Sequence, residues 1–178
     1  MGPLKHLVLL AFILSSSFLF PQAEEETIVW SEDYKLQWAD FKKKPFKTAW
    51  ASAITASGIA YTFSYKEAAE GNVLNITIST HFFPNSSWYQ KERVNDLVLS
   101  HEQLHFDISE LYARKMRKRV AETVFTKNIK EEVKAIYKDI LKELNAFQKK
   151  YDFETNFSRS MEQQFLWNQK IENALLVE

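Results

Sequence analysis

Cysteine is absent from this 178-residue chain. That excludes disulfides, a thiol nucleophile, a Cys-based zinc site and a lipid-modified N-terminal cysteine. Glycine is nearly absent, with three residues, so long flexible loops are not expected. Charge of one sign is lacking too: 23 Lys and Arg balance 23 Asp and Glu. A surface built for phosphate backbones would be basic, so nucleic acid is not an expected partner. No internal repeat or low-complexity linker occurs. One apolar run stands out, Leu7–Phe20, and it is shorter than the about 20 residues a bilayer crossing needs. Lys5 precedes it, and Pro21-Gln22-Ala23 and then Glu24-Glu25-Glu26 follow. That is the order of a secretory signal peptide over residues 1–23. The expectation is an exported protein, periplasmic or secreted, with no membrane span after cleavage and one domain over residues 24–178. Oligomeric state is not legible.

What is present is a globular composition, 46% hydrophobic and 15% aromatic, enough for a real core. Tyr34–Trp38 reads as a short strand. Ile59, Tyr61, Phe63 and Tyr65 alternate with small or polar residues, as do Leu74, Ile76, Ile78, Thr80 and Phe82. With Glu70-Gly71-Asn72 as a turn between them, the two runs predict an antiparallel pair. From about Lys91 the period becomes helical. Val94, Leu97, Val98, His101, Leu104, His105, Ile108, Leu111 and Tyr112 form one stripe at spacings of three and four. A second helix follows with Ile129, Val133, Ile136, Tyr137, Ile140, Leu141, Leu144 and Phe147, and a third begins near Ser158–Ser160. The pattern predicts an α+β fold, a small N-terminal antiparallel sheet packed on about three helices. The first helix should carry its site against the sheet.

That site is His101-Glu102-Gln103-Leu104-His105, an H-E-x-x-H arrangement. Residues four apart share a helix face about 6 Å apart along the axis, so two imidazoles can converge on one ion. Both histidines fall on the inward stripe, and Glu102 sits at its edge, placed to take a proton from a metal-activated water. The expectation is one zinc ion on His101 and His105, with Glu102 as general base and a peptide or protein as substrate.

A catalytic zinc site needs a third protein ligand. His81, at a strand end, is one candidate, although a cross-strand or exposed histidine is the plainer reading of that position. Carboxylates are the other option: Glu131, Glu132, Asp152 or Glu154. Asp107 and Glu110 share the motif helix but turn away from its histidine face, as outer or surface groups. The basic run Arg114, Lys115, Arg117, Lys118 and Arg119 wraps around the helix and reads as a solvated surface. The tryptophans, Trp50 among them, read as core anchors.

Leu36-Gln37-Trp38-Ala39-Asp40-Phe41 with Pro45, Ala53–Tyr61, Ser87-Trp88, Leu99–Arg114, and Tyr151-Asp152-x-Glu154-Thr155 with Gln164 and Trp167-Asn168 are further stretches of note. Together they resemble one family of exported bacterial proteins, catalogued as domain-of-unknown-function family 922 and regarded as zinc-dependent proteases from their motif. The resemblance implies a zincin-like active-site helix, with His101 and His105 as metal ligands and Glu102 as the catalytic residue. Many members carry a histidine shortly after the Tyr-Asp-x-x-Thr stretch, whereas this chain has Phe157. Two readings follow: an exported zinc metallopeptidase, or a non-catalytic cell-envelope binding domain that retains the fold.

Overall fold

The computed structural model describes residues 26–46, 50–66 and 73–177. The segment read as a signal peptide and the Glu70-Gly71-Asn72 turn lie outside the described residues. Strands β1 (Ile28–Val29), β2 (Ala53–Ile54), β3 (Ser57–Lys66), β4 (Val73–Phe82) and β5 (Trp88–Tyr89) precede helices α1 (Asp96–Glu122), α2 (Ile129–Glu154) and α3 (Met161–Val177). This is the expected α+β arrangement. No described helix is long and apolar enough to cross a membrane.

The alternation in the sequence becomes the β3–β4 pair. Ile59 lies opposite Thr80, Tyr61 opposite Ile78, Phe63 opposite Ile76 and Tyr65 opposite Leu74. The apolar positions therefore share one face, because side chains in a strand repeat every two residues. β1 adds to the far side of β4, giving the antiparallel order β1-β4-β3, and β2 pairs separately with β5. Tyr34–Trp38 is not a strand. A 3-10 turn spans Trp38–Asp40, closed by the Asp40 carboxylate accepting from the Gln37 amide at 2.7 Å. The local hydrogen bond of an Asp side chain wins there over extended pairing. Leu36 and Phe41 flank the turn and bury with Phe82 and Phe106 in a small second core.

α1 starts where Asn95 caps it, its Oδ1 accepting from the Val98 amide at 3.0 Å. Such a cap satisfies one of the amides that a helix start leaves unpaired. The helix is buried far beyond one stripe: every residue from Phe106 to Ala113 is buried. Ile59 and Ile78 of the sheet share one core with Leu104, Ile108, Leu111 and Met116 of α1 and with Ile140, Leu144, Trp167 and Ile171 of α2 and α3. Each such side chain stabilises the fold by about 1.5–3 kcal/mol.

A helix enclosed this way must satisfy its polar residues internally. Asp107 and Glu110, expected as outer or surface groups, are buried. Asp107 Oδ1 accepts from Trp30 Nε1 at 2.8 Å and Gln103 Nε2 at 2.9 Å, while Gln103 Oε1 accepts from the Leu36 amide at 2.7 Å. Burial pushes the Asp107 carboxyl up, against the pull of those two donors. Glu110 accepts from Thr80 Oγ1 at 2.8 Å, Arg117 Nη1 at 2.9 Å and Arg114 Nε at 3.1 Å. Arg117 also donates to the Ile78 carbonyl, so this cluster clamps α1 to β4. Arg119 pairs with Glu143. Much of the basic run is thus absorbed into helix and sheet contacts.

Candidate metal centre

The metal-site residues face α2 and α3, not the three-stranded sheet. That differs from the expected placement, and the reason is the enclosure of α1: the sheet meets a different flank of the helix, through Ser57 against Ser109, Thr80 against Glu110 and the Ile78 carbonyl against Arg117. His101 and His105 are one turn apart, their rings edge to face with centroids 4.9 Å apart. Asp152, from the last turn of α2, comes between them. Its Oδ1 lies 3.2 Å from His101 Nε2 and 3.0 Å from His105 Nε2, and the two Nε2 atoms are 3.3 Å apart. Ligands spaced tetrahedrally around an ion with bonds of about 2.0–2.1 Å stand roughly 3.3 Å from one another. The triangle fits such an ion, and His101, His105 and Asp152 form a group that can hold a metal.

The tautomers agree with this. His101 Nδ1 faces Gln164 Oε1 at 3.0 Å, and His105 Nδ1 faces Gln148 Oε1 at 2.9 Å. Both partners are acceptors, so each neutral ring carries its proton on Nδ1 and turns a lone pair inward from Nε2. Two lone pairs and a carboxylate oxygen within 3.3 Å repel unless a cation lies among them. In the metal-free site a proton on His105 Nε2, donated to Asp152 Oδ1, fills that role. Burial would lower the His105 pKa, but the Asp152 hydrogen bond and the Glu102 charge outweigh it and raise it. Burial would raise that of Asp152, yet the two histidines hold it well below the usual carboxylate range.

Glu102 is 4% exposed, and its Oε2 has no hydrogen-bond partner among the described residues. An unpartnered buried carboxylate oxygen is costly. Glu102 lines a cleft of about 250 Å³ together with His101, His105 and Asp152. Residues 50–55, around β2, form one wall, held by Thr55 Oγ1 donating to the Glu102 carbonyl at 3.1 Å. The opposite lip is residues 157–159. There Asn156, Phe157 and Ser158 all have positive φ, 49°, 52° and 67°. This left-handed turn ends α2 and turns the chain into α3, Phe157 N donating to the Asp152 carbonyl at 2.8 Å. It brings the Phe157 ring against Trp50, centroids 5.0 Å apart and nearly perpendicular. Trp50, read from sequence as a core anchor, is 63% exposed, at the mouth of the cleft.

The other third-ligand candidates lie elsewhere. His81 sits between strands, with Nε2 2.8 Å from Ser79 Oγ and Nδ1 3.2 Å from Thr27 Oγ1. Glu154 accepts from Trp167 Nε1 at 3.0 Å. Glu132 closes the start of α2, accepting from Thr126, and Glu131 belongs to the same first turn. One positioning group, Gln148, went unforeseen, and a second, Tyr151, was named only within the family resemblance and without a role. Gln148 precedes Asp152 by one helical turn on α2, a spacing that would have signalled a shared face. Tyr151 stacks on His101 at 4.5 Å and donates to Gln164 Oε1 at 2.9 Å and the His101 carbonyl at 3.2 Å. Burial drives its phenol pKa far up, which keeps it a donor.

An α+β domain with a His-His-carboxylate group beside a buried glutamate defines the class. Within it, the model of a family described as "Bacterial protein of unknown function (DUF922)" matches residues 84–159. That stretch holds His101, Glu102, His105 and Asp152, and the match supports the family assignment read from the sequence. No curated protein and no solved structure matches the chain significantly.

Proposed function

We propose that this protein is an exported zinc-dependent metallopeptidase. The observation that carries the reading is the unpartnered Glu102 Oε2 in the cleft that also holds the His101–His105–Asp152 triangle. A zinc ion, when bound, supplies a Lewis acid that acidifies water and polarises a carbonyl. His101, His105 and Asp152 would hold it at the cleft. Glu102 would take on its free oxygen a proton from the water whose oxygen bonds to the carbonyl carbon, and would pass it to the amine nitrogen as the C–N bond breaks. The Trp50–Phe157 lip suits a large apolar side chain of a peptide. Export rests on the signal-like segment at residues 1–23. Asp152 offers the third donor whose absence motivated a non-catalytic envelope-binding domain, and so favours the peptidase.

The test is zinc content and peptide hydrolysis of the mature domain, wild type beside Glu102→Gln. Near-equimolar zinc in both, with hydrolysis of peptides bearing large apolar residues lost in the variant, is the expected result. A zinc-loaded wild type that cleaves no peptide, or a variant as active as wild type, would sink the reading.

A further inference from the structure

His101 depends on a chain of amides that runs away from the metal centre. Gln164 is 1% exposed and carries different partners at its two ends. Oε1 accepts from His101 Nδ1 at 3.0 Å and Tyr151 Oη at 2.9 Å; Nε2 donates to Asn168 Oδ1 at 2.8 Å. Asn168, one turn further along α3, donates from Nδ2 to Ser100 Oγ at 2.9 Å. Ser100 and Asn168 line a separate cleft of about 470 Å³ on the other side of α1.

A primary amide has a donor end and an acceptor end of the same shape. Rotated by half a turn, Gln164 would present N–H groups to His101, and the ring would have to move its proton to Nε2. The lone pair that faces Asp152 would then be gone. Thr155 gives the present polarity its own support. Its hydroxyl proton is committed to the Tyr151 carbonyl at 2.8 Å, so its oxygen can only accept from His101 Nδ1, 3.5 Å away.

We infer that Asn168 is a positioning residue for the metal centre: its Oδ1 fixes which end of Gln164 meets His101, and thereby fixes the His101 tautomer. Asn168 touches no ligand atom and acts through Gln164. The zinc-affinity arm rests on the reading of His101 as a ligand. The tautomer arm does not, because it is measured without metal.

Ring nitrogen NMR on ¹⁵N-labelled, metal-free protein reports the tautomer. Zinc(II) affinity comes from chelator competition. In the wild type His101 carries its proton on Nδ1. Asn168→Asp offers only acceptors, so Gln164 must keep its orientation, and both tautomer and affinity are retained. Asn168→Leu frees Gln164 to rotate; the tautomers mix and zinc affinity falls about 10- to 100-fold. The inference is overturned if wild-type His101 is protonated on Nε2, if Asn168→Leu changes neither readout, or if Asn168→Asp falls as far as Asn168→Leu. The expected tautomer shift in a protein that binds no zinc would uphold the relay and reject the metal reading.

Discussion

Gln148 grips His105 at two points: its Oε1 accepts from the ring Nδ1 at 2.9 Å, and its Nε2 reaches the His105 carbonyl at 3.4 Å. The same Nε2 lies 3.2 Å from Ser109 Oγ. One side chain from α2 therefore fixes both the rotation of the imidazole and the tautomer that turns Nε2 inward. Gln148→Leu should lower zinc affinity about 10- to 100-fold while leaving the helix content intact. Chelator competition beside far-ultraviolet circular dichroism checks both halves of that statement.

Protons and metal compete for the same three atoms. Asp152 is depressed in the folded state, so its stabilising contribution is present above the unfolded carboxylate pKa of about 3.9 and is lost as pH falls through the folded value. His105 is raised, so its contribution is full below about 6.5 and is lost as pH rises through its folded value. The metal-free protein should therefore be most stable in mildly acidic solution. Zinc affinity should rise with pH over the same range, since metal binding displaces protons. Urea titrations of apo and zinc-loaded protein across pH measure both trends, and a pH-independent gap between the two curves would contradict them.

Glu110 gathers Thr80, Arg114 and Arg117 at the interface of α1 and β4. Its own side chain is 6% exposed, but the guanidiniums of Arg114 and Arg117 remain 23% and 40% exposed and can recover water. Glu110→Ala should thus destabilise by about 2–3 kcal/mol, less than a fully buried pair would lose. Chemical denaturation reads the loss, and zinc stoichiometry should stay unchanged.

The left-handed turn at Asn156, Phe157 and Ser158 contains no glycine. A side chain there costs about 1–2 kcal/mol for each residue, somewhat less for asparagine. Ser158→Gly should raise stability by roughly 1 kcal/mol, because it relieves strain and sacrifices only a small side chain. Ser158→Val should do the reverse. Thermal melts of the three proteins at one pH decide the matter; an unchanged midpoint in both variants would mean that the turn is not strained.

The β3–β4 pair and the helices were legible because each carries one periodicity that the fold honours. The metal triangle was half legible. His101 and His105 advertise themselves by spacing along one helix, whereas Asp152 lies on another and was one carboxylate among several. Its selection required knowing how α2 crosses α1. Amphipathic logic failed at Asp107 and Glu110, because that logic assumes a helix with one wet side, and α1 has the N-terminal segment, the sheet and two helices around it. Tyr34–Trp38 misled for a local reason: alternation over so few residues is weaker than the pull of one aspartate on a neighbouring amide.

The order of the elements along the chain has a further bearing on synthesis. His101, Glu102, His105 and Asp152 all precede α3, yet the amide that orients His101 belongs to α3. A growing chain that has released only α1 and α2 holds every ligand and lacks the piece that aligns one of them. Such a precursor would catch metal poorly until α3 docks. Docking of α3 would thereby set when the His101–His105–Asp152 group is ready to take up a metal.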